Sequence, residues 1–284
     1  ILAGAKALHN PPNRYGAIVP TDVAAGFMSQ WMETFAIANG LHPVKEDGSI
    51  NFDQKKTIEM LQTYKALVGM SPEGIHHWQN GRDFYASDVV PLTFWASYLL
   101  DDIAGTRDNV PIMVDDNPQS LALAQDTNVI VGMAGPSNPD GGTWVEVHNF
   151  GVTVDANTDE AAAFIEYVMN EEYVTWLGMA PEGSFPIRPG PSAGSKIFID
   201  EWGNLPIGVD RKIPINQIYS GEIIESLING LAVGTRWGAK EGQLPVAAKL
   251  VNSGLMNRLM MEYINGDRSA EETVDMLNSE AAKL

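Results

Sequence analysis

The sequence predicts an α/β protein, and three observations carry that expectation. Short extended segments alternate with longer stretches of helical period, the pattern of mixed sheet-and-helix architecture. The 27 glycines and 17 prolines are spread along the chain rather than gathered into a tail, which implies many turns in a folded domain. At 284 residues and 44% apolar content, the chain has room for two lobes, each with its own core, or for one large α/β unit.

Residues 1–8 read as the end of a helix closed by Asn10, Pro11 and Pro12, and residues 14–20 (RYGAIVP) as a short strand. Residues 24–39 have helical period, with Gly40 placed to cap them. An extended piece at 49–52 leads into a helix over 54–68, where Ile58, Leu61, Tyr64 and Val68 fall close to one face. A short helix is expected over 75–79, then a turn at Asn80-Gly81, a strand over 88–94 and a helix over 96–103. Strand-like pieces follow at 109–114 and 128–133, and residues 137–142 (SNPDGG) have the composition of a turn. Alternation then predicts a strand over 143–154, centred on 149–154.

Asn157 and Glu160 are placed as a capping box ahead of a helix over 161–169. Its apolar face would be Ala161, Phe164, Ile165, Val168 and Met169. Residues 177–194 are too rich in Pro and Gly for a regular element and are expected to form a loop across one lobe. Helical period returns over 218–231, with Ile224, Leu227, Ile228 and Leu231 on one side, and 232–238 (AVGTRWG) interrupts it. A helix over 245–264 carries Met256, Leu259, Met260, Tyr263 and Ile264 as a stripe, read as core rather than as a soft-ligand groove. Gly266 stops that helix, and Ser269 with Glu272 boxes the start of the last one.

Acidic residues outnumber basic ones 36 to 18, for a net charge of -18. Such a chain repels a phosphate backbone, so no nucleic-acid partner is expected. The acidity fits either a solubilising surface or a high-salt setting. With no cysteine, disulfides, thiolate metal sites and a Cys nucleophile are excluded. No run reaches the roughly 18 apolar residues needed to cross a bilayer. The chain opens at ILAGAKALHNPPNRYG without Met or a basic-then-apolar leader, a start that processing or truncation would each produce. That start does not argue for the cytoplasm.

Motifs for catalysis are missing. There is neither a dinucleotide fingerprint nor a phosphate loop, and YSG at 219–221 lacks the surroundings of a nucleophile elbow. His76 and His77 are adjacent, which suits a surface pair better than a metal site, and His148 stands alone in an expected strand. Asp101-Asp102 and Asp115-Asp116 imitate a glycosidase dyad only in sequence, because that chemistry needs carboxylates facing each other across a cleft. No catalytic residue, metal or cofactor is expected.

The aromatic residues are more informative. Trp31, Trp78, Trp95, Trp144 and Trp237 all lie near Gly, Asn, Asp, Glu or Arg. A Trp ring offers rigid apolar area beside polar groups, the complement of a sugar with its stacking C–H face and hydroxyl rim. Arg236-Trp237 joins a fork of donors to a stacking plate. Residues 80–100 (NGRDFYASDVVPLTFWASYLL) and 141–152 (GGTWVEVHNFGV) thus read as parts of a site that binds a polar, ring-shaped molecule without turning it over.

Four segments carry a resemblance to a family. GSINFDQKKTIEMLQTYKALVG (48–69), WQNGRDFYASDVVPLTFWASYL (78–99), NFGVTVDANTDEAAAFIEYVMNEEYVTWLGMAPEGSFPIRPG (149–190) and NGDRSAEETVDML (265–277) occur in the family's order over nearly the whole chain. Together they resemble the extracellular solute-binding proteins of ATP-driven importers, in the carbohydrate-binding group that includes the maltose-binding protein. The resemblance implies a two-lobed, periplasmic-binding-protein type II-like α/β fold joined by hinge crossovers, with the ligand between the lobes. The match starts partway into the family pattern, which implies an incomplete first lobe. Residues 1–142 and 201–284 would form most of the second lobe, and 143–200 a partial first lobe.

The implied function is capture of a sugar or oligosaccharide for a membrane permease of an ABC importer. The protein would be monomeric and extracellular or periplasmic, anchoring to the outer face of the cell membrane being one form of this. Trp95 resembles the family's stacking aromatic, and Trp31 lies where the maltose-binding relative also uses one. Tyr219 falls in a late second-lobe contact region, and Trp144, Glu146 and Asn149 lie at a crossover. Arg236 and Trp237 enter on their own chemistry. The alternatives are a binder of a non-sugar solute such as a polyol phosphate or polyamine, a glycan-active enzyme, and a protein-interaction module.

Overall fold

A computed structural model describes every residue except Ala25. The chain forms two compact units: Ile1–Trp95, Ile130–Val145 and Ala232–Leu284 in the first, Ala96–Val129 and Glu146–Leu231 in the second. It therefore passes between units four times, after Trp95, Val129, Val145 and Leu231. The division expected at 142/143 and 200/201 differs, because 96–129 and 201–231 cluster with 146–200. The ties are polar as well as apolar. Tyr219 donates its hydroxyl to the Leu100 carbonyl at 2.5 Å, and the amides of Val209, Asp210 and Arg211 converge on the carbonyl of Thr106.

In the first unit, helix Gln54–Val68 starts at Asp53, whose side chain accepts from the Lys56 amide at 2.9 Å. It buries Met60, Leu61, Tyr64 and Leu67, and the Tyr64 hydroxyl reaches the Pro20 carbonyl at 2.5 Å. Helix Gly26–Ala38 replaces the expected 24–39, of which Ala25 lies outside the described residues. It buries Met28, Met32, Phe35, Ala36 and Ile37, and a hairpin lies flush against its end. Glycine permits that approach: a Cβ on Gly135 would stand 2.3 Å from Asn39 Oδ1, and one on Gly142 2.8 Å from Ile37 Cγ2.

The hairpin pairs Met133–Gly135 antiparallel with Asn138–Trp144, which pairs parallel with Gly234–Thr235. Most of SNPDGG, expected as a turn, is strand; the connection is made by Pro136 and Ser137 instead. Asn80-Gly81 is likewise helical, within Trp78–Ala86, because Asn80 Oδ1 accepts from the His77 amide at 2.9 Å and stabilises the first turn. A Cβ on Gly81 would lie 2.9 Å from Thr93 Oγ1, so glycine lets this helix close on the extended chain there. The strands expected at 14–20 and 88–94 reduce to one parallel bridge between them, Ile18 with Thr93, while Arg14 bridges Asn10 antiparallel.

The C-terminal segment completes the same core. The helix expected over 245–264 is two, Leu244–Asn252 and Leu255–Asn265, separated by Gly254 at φ 65°. They and Ala270–Ala281 contribute Leu250, Met256, Leu259, Met260, Val274 and Leu277, so the Met stripe is core as expected.

The second unit is built of short helices, with an antiparallel pair, Pro206–Ile207 and Ile213–Pro214. Tyr173, Leu177 and Phe198 form one core cluster, and Trp202 is fully buried with its indole N–H shared between the carbonyls of Pro181 and Ser184, each at 3.0 Å. Helix Thr158–Asn170 is capped by Asn157 as expected, yet only Val168 of its predicted face is fully buried and Phe164 is 60% exposed. The strand expected over 143–154 ends at Trp144. Among the described residues no strand pairs with 146–154, and Val147, Phe150, Val152 and Val154 face solvent. Alternation alone makes no strand without a neighbour to take its N–H and C=O groups.

Candidate functional site

Three aromatic rings in the first unit form a continuous stack. Phe27 lies in the first turn of helix Gly26–Ala38 and Trp78 begins Trp78–Ala86, while Trp95 follows the bridge residue Thr93. Trp95 stacks on Phe27 with centroids 4.0 Å apart and on Trp78 at 4.7 Å, with interplanar angles of 23° and 12°. Extended backbone sends adjacent side chains to opposite sides. Phe94 accordingly enters the core against Phe35 and the edge of Trp31, at 5.2 and 5.3 Å, while Trp95 joins the stack. All three stacked rings are half-buried, and the Arg82 guanidinium lies 5.1 Å from the Trp78 ring centre. The Trp95 indole N–H is shielded from solvent and has no acceptor. Leaving such a donor unpaired costs about 1–3 kcal/mol.

A second group gathers around Glu33, a carboxylate only 2% exposed. Its Oε2 accepts from the Trp144 indole N–H at 3.0 Å and its Oε1 from the Trp237 amide at 2.7 Å. Parallel pairing of Trp144 with Thr235 brings Arg236 alongside, its guanidinium 4.9 Å from the centre of the Trp144 ring. Burial pushes the Glu33 carboxyl above its ordinary value, opposed in turn by the Trp237 amide, the Arg236 charge and the Trp144 N–H. Trp237 itself is a core pillar: 1% exposed, it donates its indole N–H to the Leu41 carbonyl at 2.9 Å and meets Phe52 edge-on.

The remaining predicted residues belong to the second unit. Tyr219 is buried on its bond to Leu100, whereas Glu146 and Asn149 are exposed. Asp101 and Asp102 are held by Arg107, whose Nε lies 2.7 and 3.0 Å from their oxygens. Burial raises the Asp101 carboxyl although Arg107 opposes the shift, and burial raises that of Glu182 as well. His76, expected at the surface, is 3% exposed and bonds the Pro72 carbonyl through Nε2 at 2.7 Å, while His148 is exposed. No group of three or more metal-ligating side chains occurs among the described residues.

Trp144, Arg236 and Trp237 are thus brought together around Glu33, and Trp31 packs beneath the segment carrying Trp95. Sequence reading missed Phe27 and Glu33 and left Trp78 outside its proposed site. Glu33 had a signal: a lone carboxylate in the apolar run of helix Gly26–Ala38, which must be buried with partners. Phe27 had none, since an aromatic in a helical period reads as core.

The architecture is shared with solved transport proteins. The chain aligns with an ABC transporter solute-binding protein from Agrobacterium radiobacter in complex with ribitol, at TM-score 0.63 and 14% identity over 99% of this chain and 63% of that one. It aligns with one from Thermotoga lettingae bound with alpha-D-tagatose at TM-score 0.60 and 12% identity, over 99% of this chain and 62% of that one. The fold is that of ABC transporter solute-binding proteins. The α/β class expected from the sequence is thereby established, and the chain spans less than two thirds of the length of the solute-binding proteins it matches. No family model and no curated protein matches the sequence. No helix among the described residues is long and apolar enough to cross a membrane, so the aromatic stack sits in a solute-binding fold that carries no spanning helix there.

Proposed function

We propose that the protein captures a sugar or a related polyol outside the cell and presents it, untransformed, to the membrane permease of an ABC importer. The observation that carries this reading is the Phe27–Trp95–Trp78 stack with its unspent indole N–H. Rings at this spacing present flat apolar surface for a sugar C–H face. The solute-binding fold supports the transport setting, and the ribitol and tagatose complexes of its structural neighbours match the same chemistry. Trp95 is the central contact, with Trp31 buttressing it from below, and Trp144 with Arg236 offers a second plate. Glu146 and Asn149 belong to the second unit, and Tyr219 and Trp237 are buried.

Extracellular or periplasmic location and action as a monomer belong to the same proposal. Asp101 and Asp102, one of the two acidic pairs that imitate a hydrolytic dyad in sequence, are both held by Arg107. Intrinsic tryptophan fluorescence of the intact gene product, titrated with mono- and oligosaccharides and polyols, tests the reading. A saturable change with one of these classes is expected; a folded protein that responds to none of them overturns it.

A further inference from the structure

The Arg236 guanidinium is set apart from the other arginines of the chain. Arg14, Arg82, Arg107, Arg211, Arg258 and Arg268 each pair with a carboxylate, and Arg188 donates to Met169 and Asn170. Among the described residues, Arg236 makes no side-chain hydrogen bond and no ion pair within 4 Å; it lies on the face of Trp144, and its charge also acts on Glu33. The adjacent acid does not close the fork, since Glu33 spends both oxygens on the Trp144 indole and the Trp237 amide. Those bonds fix the ring, and the ring fixes the guanidinium. Arg236 is half-buried, so the fork reaches solvent from a rigid mount.

We infer that the solute is a sugar acid, whose carboxylate is received by the Arg236 fork on the Trp144 plate. This rests on the sugar-capture reading and narrows it. A protein of net charge -18 repels anions at long range, so it needs a local cation with unspent N–H donors if it is to hold one. Guanidinium matches a carboxylate with two parallel N–H···O bonds, which lysine does not reproduce. The single positive charge suits one carboxylate better than a phosphate dianion.

Calorimetric titration of the intact gene product decides the matter. Glucuronate, galacturonate and gluconate would each be compared with its neutral parent, glucose, galactose or glucitol, and with the corresponding sugar phosphate. At least one acid is expected to bind about tenfold or more tightly than its parent, the yield of a charge-assisted pair. Arg236→Gln should abolish that preference, and Arg236→Lys should restore only part of it. A neutral parent or a phosphate binding as tightly as the acid overturns the inference and leaves sugar capture standing. A preference for the acid that survives Arg236→Gln overturns Arg236 as its receiver. Binding of no sugar in any form overturns both.

Discussion

Trp95 and Trp237 both follow another large side chain and both have polar neighbours in sequence, which is why both entered the predicted site. Their surroundings divide them. Trp237 is 1% exposed with its N–H spent on Leu41, so Trp237→Ala should cost about 3–5 kcal/mol of stability, read from the midpoint of urea unfolding. Trp95 is half-buried in a stack with its N–H unspent, so Trp95→Ala should cost about 1–3 kcal/mol of ligand binding. An unchanged affinity in the fluorescence titration would remove Trp95 from the site. Sequence identifies the rings but not their fate, because which side of an extended segment meets the core depends on elements far along the chain.

Between elements, one carboxylate fastens three of them. Glu59, on helix Gln54–Val68, accepts from Asn39 at 2.9 Å, beyond helix Gly26–Ala38, and from Ser137 of the hairpin at 2.7 Å, with Lys55 2.7 Å away. Hydrogen bonds from Lys55, Ser137 and Asn39 hold its carboxyl down at about 2, below the ordinary 4.5. A depressed acid contributes stability above its unfolded value and loses it as pH falls through the folded one. Thermal unfolding should therefore become easier between about pH 4.5 and 2, and Glu59→Gln should flatten that slope. Glu182 has the opposite sign: burial raises it above 4.5, so its contribution is full below that pH and is lost as pH rises through the folded value. Glu182→Gln should raise the neutral-pH melting temperature.

Helix starts were the readable part of the elements. The Ser269–Glu272 box forms with bonds of 2.8 and 3.1 Å, and Ser269→Ala should lower stability by about 0.5–2 kcal/mol in denaturant unfolding. Asn157 caps its helix as the sequence implied. Strands were the unreadable part, since residues 146–154 alternate as a strand should and yet have no pairing strand among the described residues. Caps are local, whereas pairing is decided by a second segment.

For the whole molecule, the α/β class and the solute-binding fold were legible from motif order, but the partition into units was not. That partition depends on contacts such as Tyr219 to Leu100, which join residues 119 positions apart. Charge acts at the same scale. A net -18 makes the folded chain repel itself, and the screening length falls from about 10 Å at 0.1 M salt to about 3 Å at 1 M. The melting temperature should therefore rise as sodium chloride is added over that range; a constant or falling value would show that self-repulsion is not a limiting term.

The discontinuity of the first unit also bears on the order in which the molecule can be finished. Its core draws on Phe35, Leu61 and Tyr64 from the early part of the chain and on Trp237, Leu259 and Leu277 from the late part. A chain emerging from the ribosome has no means to seal that core until helix Ala270–Ala281 has been released. Folding of this unit therefore waits on helix Ala270–Ala281, and until that helix is available the earlier segments leave their apolar faces open to chaperones.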